Sequence, residues 1–263
     1  VLIRPERSKT VLKKQLPIIY LSDTSGSMGG DRIACVNDAM RESIKVMKEQ
    51  AENSSDAEIK VGVLQFSTGA KWVTNGLVDL EHFFWNDLTA AGLTDLGSAL
   101  KELGTKLSKN SYLKSEIGYA VPVIICMSDG QPTDNWEKSF EEIKAQNAWF
   151  RGAKKVCIAI GEDADIDMLG RLSGNPKEGV IKATDLDALK GFIVAVSATA
   201  SMMGQSQMVS EKGEKIDGQS FAEAAMDNMK GDTSGVDIVT DDDWGDTTAT
   251  TDANASNDDD IWN

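Results

Sequence analysis

Apolar residues along this chain recur with two different periods. Four stretches are continuously or alternately apolar and end in polar turns: about Leu16–Leu21, Glu58–Ser67, Tyr119–Met127 and Lys154–Gly161. Runs this apolar predict strands buried on both faces, as in a parallel sheet. Between them the spacing changes to three and four. Ile33, Val36, Ala39, Met40, Ile44 and Met47 mark a helix over about Asp31–Ala51, with Asp31 as a first-turn acid. Ala99, Leu100, Leu103 and Leu107 mark a second helix. Trp136, Phe140, Ile143 and Phe150 mark a third over Trp136–Phe150, with Asn147 a polar interruption on its face. A short helix over Ile166–Leu172, a short strand within Gly179–Thr184 and a last helix over Leu186–Ala200 complete the series. Gly69 permits a tight turn into Ala70–Val73, a short antiparallel edge strand, and Leu77–Leu88 reads as irregular. Strands alternating with helices predict a doubly wound α/β fold, a mostly parallel sheet with helices on both faces.

The pattern stops near residue 204. Residues 205–263 carry 15 acidic and 3 basic side chains, so most of the net charge of −15 lies there. The expected organisation is a polar, basic lead-in over 1–13, a folded body over 14–204, and an acidic, largely disordered tail over 205–263 with a short helix near 221–229. Trp244 and Trp262 sit beside aspartate clusters, which suits them to anchor a contact, including self-association through the tail. The acidic balance argues against nucleic acid or an anionic membrane as partner. No run of 18 apolar residues is present, and Val1–Lys9 lacks the apolar core of a signal peptide. Three cysteines, Cys35, Cys126 and Cys157, two of them in apolar runs, predict reduced core thiols and a cytoplasmic location.

Candidate chemistry gathers where the apolar runs end. The first runs into Asp23-Thr24-Ser25-Gly26-Ser27, the second helix is preceded by Gly92-Leu93-Thr94-Asp95, and Tyr119–Met127 runs into Ser128-Asp129-Gly130-Gln131-Pro132-Thr133-Asp134. Loops at the carboxyl ends of parallel strands converge on one sheet edge. They offer carboxylates and hydroxyls without histidine or thiolate, a hard-oxygen set for Mg²⁺ or Mn²⁺, with Ca²⁺ admissible. His82, beside Phe83, Phe84 and Trp85, reads as a packed or surface side chain. With one histidine there is no zinc set. Thr94-Asp95 also reads as a helix cap.

Asp23-x-Ser25-x-Ser27 resembles the metal-ion-dependent adhesion site (MIDAS) of von Willebrand factor A domains. In that family a threonine from a second loop and an aspartate from a third complete the site. Thr94 and Asp129 stand in those places, with Gly92 and Gly97 matching the second loop and Leu93 replacing its second glycine. The third-loop match, Ser-Asp-Gly-x-Pro-Thr-Asp, is the most specific. Within the superfamily, Pro17–Met28 (PIIYLSDTSGSM) most resembles the bacterial cytoplasmic TerY-like proteins associated with tellurite resistance and stress. The resemblance covers roughly residues 14–200. It implies a metal held by Asp23, Ser25, Ser27, Thr94 and Asp129 that binds a partner's Asp or Glu, an adaptor and not an enzyme, with kinase- or phosphatase-like proteins of the same system as candidate partners.

Two other readings compete. A Mg²⁺-dependent phosphohydrolase of the haloacid-dehalogenase kind needs a second aspartate where Ser25 stands, and a downstream lysine for which no candidate is convincing. A structural scaffold with a non-functional metal site would bind its partners without metal.

Overall fold

The computed structural model describes residues 13–52, 57–113, 118–174, 179–183, 185–202, 224–225 and 236–238. The strands are β1 (Lys14–Asp23), β2 (Ala57–Ser67), β3 (Gly69–Trp72), β4 (Val78–Asp79), β5 (Val123–Ser128), β6 (Lys154–Ile160), β7 (Val180–Ala183) and β8 (Val236–Ile238). The α-helices are α1 (Asp31–Glu52), α2 (Leu96–Lys106), α3 (Trp136–Gln146), α4 (Ala148–Gly152), α5 (Ile166–Ser173) and α6 (Leu186–Met202). They build one sheet in the order β3-β2-β1-β5-β6-β7-β8, with β4 also on β2. β1, β2, β5, β6 and β7 are parallel; β3 and β4 run antiparallel to β2, and β8 antiparallel to β7.

The strand pattern explains why the sheet is covered twice. Leu16, Ile18 and Tyr20 of β1 join a cluster with Val36, Met40 and Met47 of α1 and Phe192, Ile193 and Val196 of α6. Ile19 and Leu21, pointing the other way, join Leu100 and Leu103 of α2, Phe140 and Ile143 of α3 and Leu169 of α5. Successive residues alternate faces, so only a run apolar at every position can feed both cores. The expected doubly wound fold is what forms.

Several boundaries differ from the sequence expectation. The strand expected over Tyr119–Met127 begins at Val123, because Pro122 has no N–H to give the ladder; Tyr119 joins the sheet through an isolated bridge to Gln15. The single helix expected over Trp136–Phe150 is two. Asn147 ends α3, and its side chain accepts from Phe150 N to start α4. Its amide also donates to Gly104 O and Leu107 O, both at 3.0 Å, tying the joint to the end of α2. The stretch expected to be irregular, Leu77–Leu88, contributes β4 and a 3₁₀ turn over Leu80–His82. His82 is exposed there, as a surface residue.

Two fragments of the expected tail lie among the described residues. Residues 224–225 are helical with Ala225 fully buried, and Val236–Ile238 is β8. The rest of the tail, the remainder of the helix expected near 221–229, and the lead-in through residue 12 lie outside the described residues. All three cysteines are buried and free. Among the described residues, no helix is long and apolar enough to cross a membrane.

Candidate functional site

β1 is the place where the strand order reverses, since β2 lies on one side of it and β5 on the other. In such sheets the crevice beyond the carboxyl ends of the central strands is open to ligands. Asp23 is the last residue of β1, Ser128 the last of β5, and Asp129 follows it. The sequence of apolar positions therefore fixes where these carboxylates emerge.

Backbone hydrogen bonds stitch the three loops together. Gly26 N donates to Gly92 O and Ala91 N to Thr24 O, joining the first loop to the second. Thr133 N donates to Thr94 O and Thr94 N to Thr133 Oγ1, joining the second to the third. The approach is close at two glycines. At Gly92, φ is +90° and a Cβ would meet Thr68 Oγ1 at 2.6 Å. At Gly97 a Cβ would meet Asp134 Oδ2 at 2.8 Å and Ser139 Oγ at 2.9 Å. Leu93, in place of a glycine, keeps its N–H on Thr68 Oγ1 and leaves its side chain exposed on the rim.

Asp23 is held at both oxygens. Ser25 N donates to Oδ1 at 2.8 Å and Ser128 Oγ donates to Oδ2 at 2.5 Å. Gly130 N in turn donates to Ser128 Oγ at 2.8 Å. Ser25 Oγ and Ser27 Oγ lie 3.0 Å apart. Asp23, Ser25, Thr94 and Asp129 are all buried, whereas Ser27 is exposed at the mouth. Burial pushes the Asp23 carboxyl above the usual carboxylate range; hydrogen bonds from Ser128 and Ser25 draw it back, and the neighbouring Asp129 charge adds to the rise.

Asp129 is held differently. Its Oδ2 accepts from Arg32 Nη1 at 3.4 Å, and its Oδ1 is buried with no hydrogen-bond partner. Two buried carboxylates close enough to repel one another, one with an orphaned oxygen, and a pair of hydroxyls beside them fit a divalent cation. Among the described residues no three His, Cys, Asp or Glu side chains form a metal cluster. The donor set is thus two carboxylates and hydroxyls, which suits a hard cation that retains water and leaves ligand positions open.

Several supporting residues carried no signal of their own in the sequence. Ser128, Thr133 and Asp134 lie in the third-loop motif, yet their roles depend on the packing of distant loops. Asp134 accepts from Gly97 N and Ser98 N, capping α2 from outside. Asp95, expected as that cap, has no side-chain cap bond; its carboxylate accepts from Gly69 N at 2.7 Å and from Thr133 Oγ1 at 3.3 Å. Arg32 and its second partner Asp163, 131 residues apart, were not indicated by any local pattern.

The sequence model of the von Willebrand factor type A domain matches residues 18–194. No curated protein matches the chain. Among solved structures, a von Willebrand factor type A protein from Catenulispora acidiphila is similar at 17% identity and a TM-score of 0.53, over 72% of this chain and 43% of that one. Proximal thread matrix protein 1 from the mussel byssus, described with a zinc-occupied MIDAS motif, is similar at 16% identity and a TM-score of 0.53, over 72% and 46%. The PilB minor pilin from Streptococcus sanguinis is similar at 18% identity and a TM-score of 0.53, over 73% and 63%. The matched region spans less than half the length of the first two chains and less than two thirds of the third. At these identities the likeness is one of fold.

Proposed function

Since this chain belongs to the von Willebrand factor type A domain family, whose members commonly mediate metal-dependent protein–protein interaction, we propose that it is a metal-dependent adaptor working through a MIDAS. Asp23, Ser25, Ser27, Thr94 and Asp129 hold one divalent cation, Mg²⁺ or Mn²⁺, and a partner's Asp or Glu completes its coordination. The observation that carries this reading is the pairing of buried Asp23 with buried Asp129, whose Oδ1 has no partner. Such an atom is costly unless a cation or water reaches it. The zinc-occupied MIDAS of the byssus protein supports divalent metal in this fold.

In this reading the chain's own groups position and the cation supplies charge. Ser128 and the Ser25 N–H orient Asp23. Thr133 fixes the backbone at Thr94. Exposed Ser27 stands at the mouth, where a partner's carboxylate arrives. The tail's aspartate clusters beside Trp244 and Trp262 are one carboxylate source, in the same chain or a second copy. No turnover is assigned. A phosphohydrolase of this plan would need an acid at Ser25, and the Ser25 hydroxyl is shared with Ser27 Oγ. Three buried free thiols support a cytoplasmic setting, and the stretch Pro17–Met28 supports a bacterial stress-response or tellurite-resistance-type system, whose kinase- or phosphatase-like proteins are the proposed partners.

Calorimetric titration of chelator-stripped protein tests the site. The wild type takes up one Mg²⁺ or Mn²⁺ per chain, and Asp23→Ala takes up none while keeping a cooperative melt. Unchanged metal affinity in Asp23→Ala would remove the assignment. Carboxylate-bearing partners are then retained in Mg²⁺ and released by EDTA; retention in EDTA would favour the scaffold reading.

A further inference from the structure

Arg32 reaches the candidate site from the first turn of α1. Its Nη2 donates to Asp163 Oδ1 at 2.6 Å, its Nη1 donates to Asp129 Oδ2 at 3.4 Å, and Nη1 also lies 3.5 Å from Ser27 O. One guanidinium thus spans the first loop, the third loop and the loop after β6. The chain makes room for it at Gly161, where φ is +91° and a Cβ would fall 2.5 Å from Nη2. The two partners differ in setting. The Asp129 side chain is 3% exposed and the Asp163 side chain 60% exposed. The hydrogen bond from Arg32 holds the Asp163 carboxyl below the usual carboxylate range, so the outer arm is the firmly engaged one.

Without a cation, Asp129 is a buried carboxylate beside another, Asp23. Leaving such a charge uncompensated is strongly unfavourable. Arg32 offsets part of it through Oδ2, while Oδ1 stays unpartnered. A divalent cation arriving at the site would draw on the same carboxylate and be repelled by the guanidinium. The two positive charges compete, and Asp163 governs the contest by pulling the guanidinium outward.

Resting on the reading of this site as a divalent-cation site, we propose that Arg32 is a resident counter-charge that competes with the metal for Asp129, and that Asp163 sets the strength of that competition. Its consequence is an exchangeable metal on a site that stays folded when empty. Arg32 is a positioning residue and binds no metal itself.

The test is calorimetric titration of Mn²⁺ and Mg²⁺ into chelator-stripped full-length chains, with thermal melts in EDTA. In Arg32→Met the positive charge is gone, so the metal-free melt falls and metal affinity rises, by roughly tenfold. In Asp163→Asn the guanidinium turns to Asp129 alone and a nearby negative charge is lost, so affinity drops, on the order of threefold or more. Arg32→Lys keeps the charge but loses the two-armed reach of the guanidinium, so its affinity falls between those of wild type and Arg32→Met. A bridge that serves structure alone would weaken metal binding in both Arg32→Met and Asp163→Asn. Unchanged or weaker affinity in Arg32→Met, or shifts of the same sign in the two variants, overturns the proposal while the metal site stands. Should Arg32→Met not fold, Arg32→Gln, neutral but still able to hydrogen-bond, takes its place: unchanged or weaker affinity in Arg32→Gln overturns the proposal. A wild type that binds neither metal overturns the metal reading itself and this inference with it.

Discussion

Ser128 does its work at a distance of 105 residues from the carboxylate it holds. Its hydroxyl donates to Asp23 Oδ2 and accepts from Gly130 N, so it links the ends of β1 and β5 with one atom. Groups of this kind orient a ligand without touching the metal, and losing one typically costs about 10–100-fold in metal affinity. We therefore expect Ser128→Ala to bind Mg²⁺ roughly 10–100-fold more weakly while remaining folded. Titration calorimetry beside a thermal melt checks this, and wild-type affinity in Ser128→Ala would mean that Ser25 N alone orients Asp23. The five candidate ligands were legible in the sequence because each follows an apolar run or opens a helix, within a loop whose local pattern repeats a family motif. Ser128 was visible as a letter of the third motif but not as a partner of Asp23. Arg32 and Asp163 were invisible, since a contact between α1 and the loop after β6 exists only once the sheet order is known.

At the scale of elements, period and length decided what could be read. β1, β2 and β6 are long, apolar runs, and their expected positions lie within two residues of those that form. β4 has two residues and is placed only by its pairing with β2, which no window of sequence resolves. The break between α3 and α4 had a visible mark, since Asn147 is the polar position on an apolar face. What the periodicity lacked was the reason to stop there. Asn147 accepts from Phe150 N at 2.9 Å and donates to two carbonyls at the end of α2. A continuous helix would leave those carbonyls without that donor. Asn147→Ala removes a cap and two tertiary hydrogen bonds, and we expect a loss of about 2–3 kcal/mol in stability. Urea denaturation measures it, and a loss inside experimental error would show that water replaces the amide at no cost.

At the scale of the whole molecule, the sheet has two different edges. On one side β3 and β4 return antiparallel on β2 and close the body from nearby sequence. On the other, β7 is four residues long and its outer edge is covered by β8, drawn from the stretch that composition alone assigned to an acidic tail. Ile181 pairs with Ile238, Lys182 with Asp237 and Ala183 with Val236. A three-residue strand flanked by glycine, threonine and aspartate is too short for an alternating pattern to stand out. An open β7 would present unpaired backbone groups and invite pairing with another chain. Two truncations separate the strand from the charge that follows it. A chain ending at residue 240 keeps β8 and loses the last acidic clusters; a chain ending at residue 230 loses both. With each ladder hydrogen bond contributing about 1 kcal/mol, we expect the shorter chain to melt roughly 2–6 °C below the longer one. It should also self-associate more in sedimentation as protein concentration rises, while the chain ending at 240 melts with the full-length protein. Mg²⁺ affinity should be equal in the two truncations, because β7 lies two strands from β5 and the site is built on β1 and β5. Equal melting of both truncations would show that β8 adds no stability to the edge it covers.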